Sequence, residues 1–200
     1  VRDYKVICEA HIRLLKGQKI QSDAEQEITK DYYVFICKDR ELEKIVDRIV
    51  CGSVAAKHFL SLTGEQAPPI FNMLHEDNVY IGLNGVKAKR GDNSKEGVRE
   101  KKIDWSDEGA KQLYEAIMIL IIAWNLKPGP IYDYLEEAKK YAYCKPYVSR
   151  VERINRILER NNTSMPEILN ELKKDNPNIK EYSFDELKKI MSESIYESRF

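Results

Sequence analysis

The longest apolar stretch of the chain is residues 116–124, which read Ala-Ile-Met-Ile-Leu-Ile-Ile-Ala-Trp without a polar side chain. Ser106 is suited to cap a helix before this stretch, the next two residues are acidic, and Pro128 ends the pattern. We therefore predict one helix over residues 107–125. A surface helix keeps a polar face, so a helix that is apolar on every side is expected at the centre of the core. A buried strand is the alternative, because isoleucine is β-branched.

The amino-terminal half carries the patterns of β-strands. Apolar and polar residues alternate over residues 4–15, which predicts a strand with one buried face, although the same residues also fit a helix. Residues 32–37, Tyr-Tyr-Val-Phe-Ile-Cys, predict a second strand because aromatic and β-branched side chains favour it. Asp39 is expected to cap a helix that includes residues 42–50 and continues, after a kink or break, over residues 54–62.

A hairpin is predicted over residues 79–89. Val79-Tyr80-Ile81-Gly82-Leu83 and Val86-Lys87-Ala88-Lys89 flank Asn84-Gly85, a pair that suits the positive backbone angles of a tight turn. Residues 91–97 have two glycines and no apolar side chain, so we expect a loop there.

Helices are predicted after the break at Pro128-Gly129-Pro130. The first two cover residues 131–143 and 147–160. A third is capped by Thr163 or Ser164, and a fourth by a capping box of Ser183 and Glu186. The tail after residue 192 is expected to be frayed.

These elements predict an α+β fold, with a small, mostly antiparallel sheet packed around the central apolar helix and followed by a helical carboxy-terminal region. Residues 1–127 form the predicted α+β core domain, and residues 131–200 form a helical region packed on it.

Composition limits the possible partners. The chain has 33 Lys and Arg against 33 Asp and Glu, so no long-range field attracts nucleic acid or an anionic membrane, and any such binding needs a local patch. The apolar run is too short for a bilayer, which needs about 20 residues, so we expect no membrane association. Neither a cofactor motif nor a secretion signal is recognised, so we expect no cofactor and a cytoplasmic location. The four widely spaced cysteines are expected to be reduced structural thiols, and the oligomeric state stays open.

The strongest indication of a partner is a local excess of positive charge, which we call the basic arm. Residues 86–102 contain seven Lys and Arg against three acidic residues, on the predicted hairpin and loop. Such an arm is suited to contact phosphates. The alternative is a solvated edge whose lysines discourage strand association. The candidate nucleic-acid-binding residues are Lys87, Lys89, Arg90, Lys95 and Arg99.

A second basic stretch lies on the predicted helix of residues 147–160. Its arginines are Arg150, Arg153, Arg156 and Arg160. Two glutamates, Glu152 and Glu159, temper this charge, so we expect ordinary surface ion pairing there.

The densest group of ionisable residues is His75-Glu76-Asp77. Together with His11 or His58 it would suit a metal-dependent hydrolase, whereas alone it suits a solvated connection, because adjacent side chains diverge. His11 is expected on the polar face of the first strand. Cys51 precedes a helix break and is either an exposed thiol or a buried one.

Tyr80-Ile81-Gly82 resembles the second half of the signature of the GIY-YIG nucleases. The first tyrosine of that signature would fall near Ile70-Phe71, where there is none, and phenylalanine cannot transfer a proton. The chain is therefore assigned to no family on this basis.

Taken together, the sequence predicts a non-enzymatic binding protein whose partner is a protein or nucleic acid, the latter contacted through the basic arm. The alternative is a metal-dependent nuclease or other hydrolase that uses the cluster of residues 75–77. A small-molecule binder that uses some of the twelve tyrosines is a third hypothesis, without a motif that locates its site.

Overall fold

The computed structural model describes residues 4–74, 103 and 105–200, and it confirms the α+β class. The described strands are β1 Tyr4–Arg13, β2 Ile20–Gln21, β3 Glu27–Ile28, β4 Asp31–Asp39 and β5 Ile45–Gly52. The described helices are α1 Ser53–Thr63, α2 Glu108–Ala123, α3 Pro130–Lys140, α4 Val148–Arg160, α5 Met165–Asp175 and α6 Asp185–Met191. The chain divides into two compact units, Val1–Ile103 and Asp104–Phe200, here called the sheet unit and the helical unit. The predicted boundary at residues 128–130 lies inside the helical unit, between α2 and α3.

The sheet unit is built on an antiparallel sheet in the order β1-β4-β5. The predicted first two strands are confirmed. The register shifts between Cys8 and Ala10, so Glu9 is an extra residue in β1. Such a bulge interrupts the simple alternation of side chains between the two faces. Glu9 and His11 are consequently 2% and 8% exposed, and the prediction of a polar face at His11 is wrong. On one face of the sheet, α1 packs through Ala56 and Leu60.

The predicted helix over residues 42–50 is wrong, because this segment forms a turn and then β5. The carboxylate of Asp39 accepts hydrogen bonds from the backbone N–H groups of Glu41 and Leu42, both at 2.8 Å. An aspartate makes the same kind of local hydrogen bond in a turn as at a helix N-cap. The presence of Asp39 therefore did not distinguish a turn from the start of a helix. The β-branched residues that follow then pair with β4. The later part of the predicted helix is confirmed as α1.

β5 lies at one end of the described sheet, and two carboxylates bind its backbone. Asp47 Oδ1 accepts a hydrogen bond from Arg48 N at 2.8 Å, and Asp23 Oδ2 accepts one from Val50 N at 2.5 Å. Asp23 N also donates to Val50 O at 3.0 Å. Side chains and a neighbouring segment therefore occupy positions that an additional strand would use.

The helical unit is built around α2, as the apolar run predicts. Residues 116–122 are each at most 2% exposed, and α2 contacts α3, α4, α5 and α6. The N-cap is Asp107, whose side chain accepts a hydrogen bond from Ala110 N at 2.8 Å, rather than Ser106. In the parts of the chain that the structure describes, neither α2 nor another helix combines the length and the apolar character that crossing a membrane requires.

A capping box exists at α5, where the sequence predicts only a cap at Thr163 or Ser164, and it is absent at α6, where the sequence predicts a box. Ser164 N donates to Glu167 Oε2 at 2.8 Å, and the Ser164 hydroxyl accepts a longer bond from Glu167 N at 3.4 Å. At α6 the Glu186 amide donates instead to Gln112 Oε1 of α2, at 3.0 Å. Because Gln112 is 4% exposed and supplies this acceptor, the Ser183 box does not form and its prediction is wrong.

The carboxy-terminal segment is docked rather than frayed. The side chain of Asn155, in α4, donates from Nδ2 to Glu197 O at 2.9 Å and accepts at Oδ1 from Arg199 N at 2.7 Å. Arg199 O accepts in turn from Met165 N at 2.7 Å, and Phe200 is buried. A single buried amide thus binds this irregular segment on its donor and its acceptor sides.

Candidate functional site

The predicted nucleic-acid-binding residues and the predicted hydrolase cluster lie outside the described residues. This applies to the basic arm residues Lys87, Lys89, Arg90, Lys95 and Arg99, and also to residues 75–77 and 80–82. Their roles stay predictions.

His11 is a neutral, buried side chain of the sheet. Its ring stacks on Tyr33 with centroids 4.0 Å apart and an interplanar angle of 14°. Burial lowers the pKa of His11 to about 4, and the positive charge of Arg13 also lowers it, while Asp31 acts in the opposite direction. At pH 7 the imidazole is uncharged. His58, in contrast, is exposed on α1.

Cys51 is a buried thiol rather than an exposed one. Burial raises its pKa to about 11, with a further contribution from the carboxylate of Asp23, so the thiol is protonated at neutral pH. In the sheet register Tyr33 is opposite both Cys51 and His11 and therefore lies between them. A nucleophilic cysteine needs a lowered pKa, and this environment works against one. The four cysteines form no disulfide, as expected for structural thiols.

No group of three His, Cys, Asp or Glu side chains is placed to hold a metal ion within residues 4–74, 103 and 105–200.

The helical unit displays arginines stacked with tyrosines along α3, the turn after it, α4 and the segment near the carboxy terminus. We call this set the arginine–tyrosine surface. Its stacked members are Tyr134, Tyr141, Tyr147, Arg150, Arg153, Arg156 and Tyr196. We add the exposed Tyr143, which follows Tyr141 by two residues in the turn after α3.

Arg150 is the most constrained arginine of this surface. Its guanidinium carbon lies 4.1 Å from the ring centroid of Tyr141 and 5.0 Å from that of Tyr147. Its Nε lies 2.9 Å from Glu137 Oε1. Contacts of a guanidinium with aromatic rings and a carboxylate together fix both its position and its plane.

The neighbouring arginines are held in the same way. Arg153 Nη1 donates to Glu137 Oε2 at 2.9 Å, so two arginines share one carboxylate. Arg156 Nη2 donates to Tyr196 Oη at 2.9 Å, and its guanidinium carbon lies 4.7 Å from that ring centroid. A weaker ion pair joins Arg156 to Glu152 at 3.8 Å. The predicted ion pairing is therefore confirmed for these three arginines.

Charge and exposure make this surface accessible to an anion. Residues 139–160 contain seven Lys and Arg against two acidic residues, and Glu137 reduces this excess from five to four. Tyr147 is 70% exposed and Tyr143 is 65% exposed. The sequence located the arginines but not their tyrosine partners. The three-residue spacing of Tyr147 and Arg150 was a usable signal, whereas Tyr196 is 40 residues from Arg156 and becomes its neighbour only in the fold.

A groove of about 490 Å³ lies elsewhere in the helical unit, between the end of α2 and α5. Trp124, Glu167 and Glu171 line it, together with Asn161 and Asn162. Its described lining carries two carboxylates and no cation, so it disfavours a phosphate. The arginine–tyrosine surface is the better anion site of the two.

In comparisons with known proteins, no family model, no curated protein and no solved structure matches this chain.

Proposed function

We propose that this protein is a non-enzymatic binding protein that contacts nucleic acid through the basic arm. The observation that carries the proposal is the excess of four positive charges in residues 86–102 of a chain whose net charge is zero. In a neutral chain, attraction of a polyanion depends on such local concentrations of charge.

The arginine–tyrosine surface supports the proposal, because it is a second local excess of positive charge with exposed aromatic rings. Two of the described side chains considered for chemistry, the Cys51 thiol and the His11 imidazole, are both buried and uncharged at neutral pH. Buried, uncharged side chains of this kind contribute to packing. Their state therefore favours a binding protein over an enzyme that uses Cys51 as nucleophile and His11 as base.

The test is the affinity of the full chain for labelled single-stranded and duplex DNA and RNA over a salt series. The arm variant carries Lys87→Glu, Lys89→Glu and Arg90→Glu. We expect its dissociation constant to rise at least about tenfold and the slope of log affinity against log salt to fall by up to about three, since each phosphate contact contributes nearly one to the slope.

A matched control carries the same change in charge at other exposed lysines, Lys44→Glu, Lys57→Glu and Lys127→Glu. We expect this control to change the dissociation constant less than about threefold, because it makes the same change in net charge at lysines outside the basic arm. Equal losses in both variants would show a non-specific effect of net charge and overturn the role of the arm. No binding by the wild-type chain at low salt would overturn the proposal in favour of a protein partner. Cleavage that needs Mg²⁺ or Mn²⁺ and is lost in Glu76→Gln would overturn it in favour of the hydrolase alternative.

A further inference from the structure

We infer that the arginine–tyrosine surface binds single-stranded nucleic acid and selects it over duplex by stacking unpaired bases on Tyr147 and Tyr143. This inference deepens the proposed function and rests on it for the class of ligand, but it concerns residues outside the basic arm.

The first step of the argument is the accessibility of the aromatic rings. Tyr147 and Tyr143 are the two tyrosines of this surface that are more than 60% exposed. An exposed ring offers a flat apolar face to the flat face of a base, a contact that every base can make. Arg150 lies over the ring of Tyr147, so a cation is present beside the stacking position.

The second step is the placement of the arginines. On an α-helix, at about 100° and 1.5 Å per residue, residues 150, 153, 156 and 160 fall within about 120° of the circumference and about 15 Å along the axis. Arg153 and Arg156, whose side chains are 45% and 46% exposed, are accessible members of this positive stripe, while the Arg150 side chain is 13% exposed. The stripe is long enough to follow a short length of sugar–phosphate backbone. An arginine that is already held in place loses less side-chain freedom when it binds a phosphate than a mobile lysine does.

The third step is the distribution of charge between the contacts. Glu137 accepts from Arg150 at one carboxylate oxygen and from Arg153 at the other, so the three groups retain one net positive charge. A guanidinium has five N–H donors, and one nitrogen of each arginine is used in this pair. The Arg156–Glu152 pair lowers the charge further, so the ion pairs orient the arginines and reduce, without removing, the positive charge of the four-arginine stripe.

Single strands fit this surface better than duplexes. Bases in a duplex are stacked on one another and present no free face to a side chain, so the tyrosines would gain no contact from a duplex. Arginine and tyrosine also recur in protein interfaces. The net positive charge of the stripe favours a polyanion over an average protein surface.

The test compares the full chain with the double variant Tyr143→Leu and Tyr147→Leu. Leucine keeps an apolar side chain and removes the stacking face. The probes are a labelled 20-nucleotide oligothymidine or oligouridine and a 20-base-pair duplex in the same buffer. We expect the dissociation constant for the single strands to rise at least tenfold and that for the duplex to change less than twofold. The conservative variant Tyr143→Phe with Tyr147→Phe is expected to bind single strands within twofold of the wild type.

A matched control is Tyr4→Leu, since Tyr4 is an exposed tyrosine (42%) of the sheet unit. This substitution is expected to leave both affinities unchanged. Arg153→Gln, at a side chain that is 45% exposed, is expected to lower the salt slope for single strands by about 0.7. An unchanged ratio of single-strand to duplex affinity in the leucine variant would overturn this inference while leaving the proposed function intact. Loss of selectivity in the leucine variant, with an arm variant that binds normally, would support this inference and overturn the role of the arm. A wild-type chain that binds neither probe would overturn both.

Discussion

Lys180 and Glu115 form a buried ion pair in the helical unit, with Lys180 Nζ 3.0 Å from Glu115 Oε1. Their side chains are 10% and 7% exposed, and they are 65 residues apart in sequence. The pair joins the segment between α5 and α6 to the central helix. Lys180 Nζ also lies 4.5 Å from the ring centroid of Tyr182, so the ammonium group is bound by a carboxylate and an aromatic face.

Removing one partner of this pair is expected to destabilise the helical unit strongly. Lys180→Met leaves the Glu115 carboxylate buried without its cation, which costs about 3 to 5 kcal/mol of unfolding free energy. The double variant Lys180→Met, Glu115→Leu is expected to recover most of this loss. Urea unfolding followed by tryptophan fluorescence measures this, because Trp105 and Trp124 both belong to the helical unit.

The control for that measurement is the exposed pair of Lys174 and Glu171, whose side chains are 68% and 70% exposed. Lys174→Met is expected to change the unfolding free energy by less than about 1 kcal/mol. An equal effect at both lysines would contradict the role assigned to burial.

The burial of His11 is expected to make the protein less stable at acidic pH. Its pKa in the folded protein is lowered to about 4 from an ordinary value of 6.5, so the unfolded chain takes up a proton first as the pH falls. Stability from this group is complete above pH 6.5 and is lost progressively down to pH 4, by about 3 kcal/mol at most. The comparison is urea unfolding of the wild type and His11→Phe at pH 7, 5.5 and 4. The phenylalanine variant should lack this contribution, so a constant difference between the two proteins would contradict the prediction.

Asn155 is expected to control the order of the carboxy-terminal segment. Asn155→Ala removes both side-chain hydrogen bonds to that segment and leaves the Arg199 N–H and the Glu197 carbonyl without this partner, at a cost of about 2 kcal/mol. Hydrogen exchange at the Arg199 amide should accelerate markedly. The exposed Asn161, whose Nδ2 donates to Ile157 O within the same helix, supplies the control Asn161→Ala, for which exchange at Arg199 should not change. Slow exchange in both variants would show that other contacts hold the segment.

Two serines that look alike in sequence are expected to differ in their contribution to stability. Ser164→Ala removes the hydroxyl that accepts from Glu167 N in the capping box at α5, and it should lower the unfolding free energy by about 1 kcal/mol. Ser183→Ala should lower the unfolding free energy by only a few tenths of a kcal/mol, because Gln112 already accepts the hydrogen bond from the Glu186 amide at α6. Thermal unfolding of the two variants separates these cases, and a larger effect at Ser183 would contradict the assignment.

Sequence reasoning succeeded where a local pattern and its burial agree. The apolar run of residues 116–124 predicted α2 and its position, because a helix without a polar face must be buried in the core. It failed where the deciding partner is distant in sequence. Asp39 carried a valid capping signal, but the pairing of Ile45–Gly52 with β4 decided the conformation of the residues that follow. Ser183 and Glu186 matched a capping box, but Gln112, more than 70 residues earlier, supplied the acceptor.

The candidate sites show the same division. Counting charge located both the basic arm and the arginines of α4 without any structure. The tyrosines that hold those arginines were not identified, because an arginine's stacking partner depends on how helices and turns pack. Arg156 illustrates this, since its ring partner Tyr196 comes from a segment that the sequence predicted to be frayed. The basic arm itself stays a prediction from composition.

The carboxylates along β5 have a consequence for behaviour at high concentration. A protein with equal numbers of positive and negative side chains gains no mutual repulsion from net charge at neutral pH, so its resistance to association depends on local features. Asp47 and Asp23 occupy the amides of Arg48 and Val50, which a strand from a second molecule would otherwise bind. These two hydrogen bonds therefore disfavour the extension of this sheet from one molecule to another.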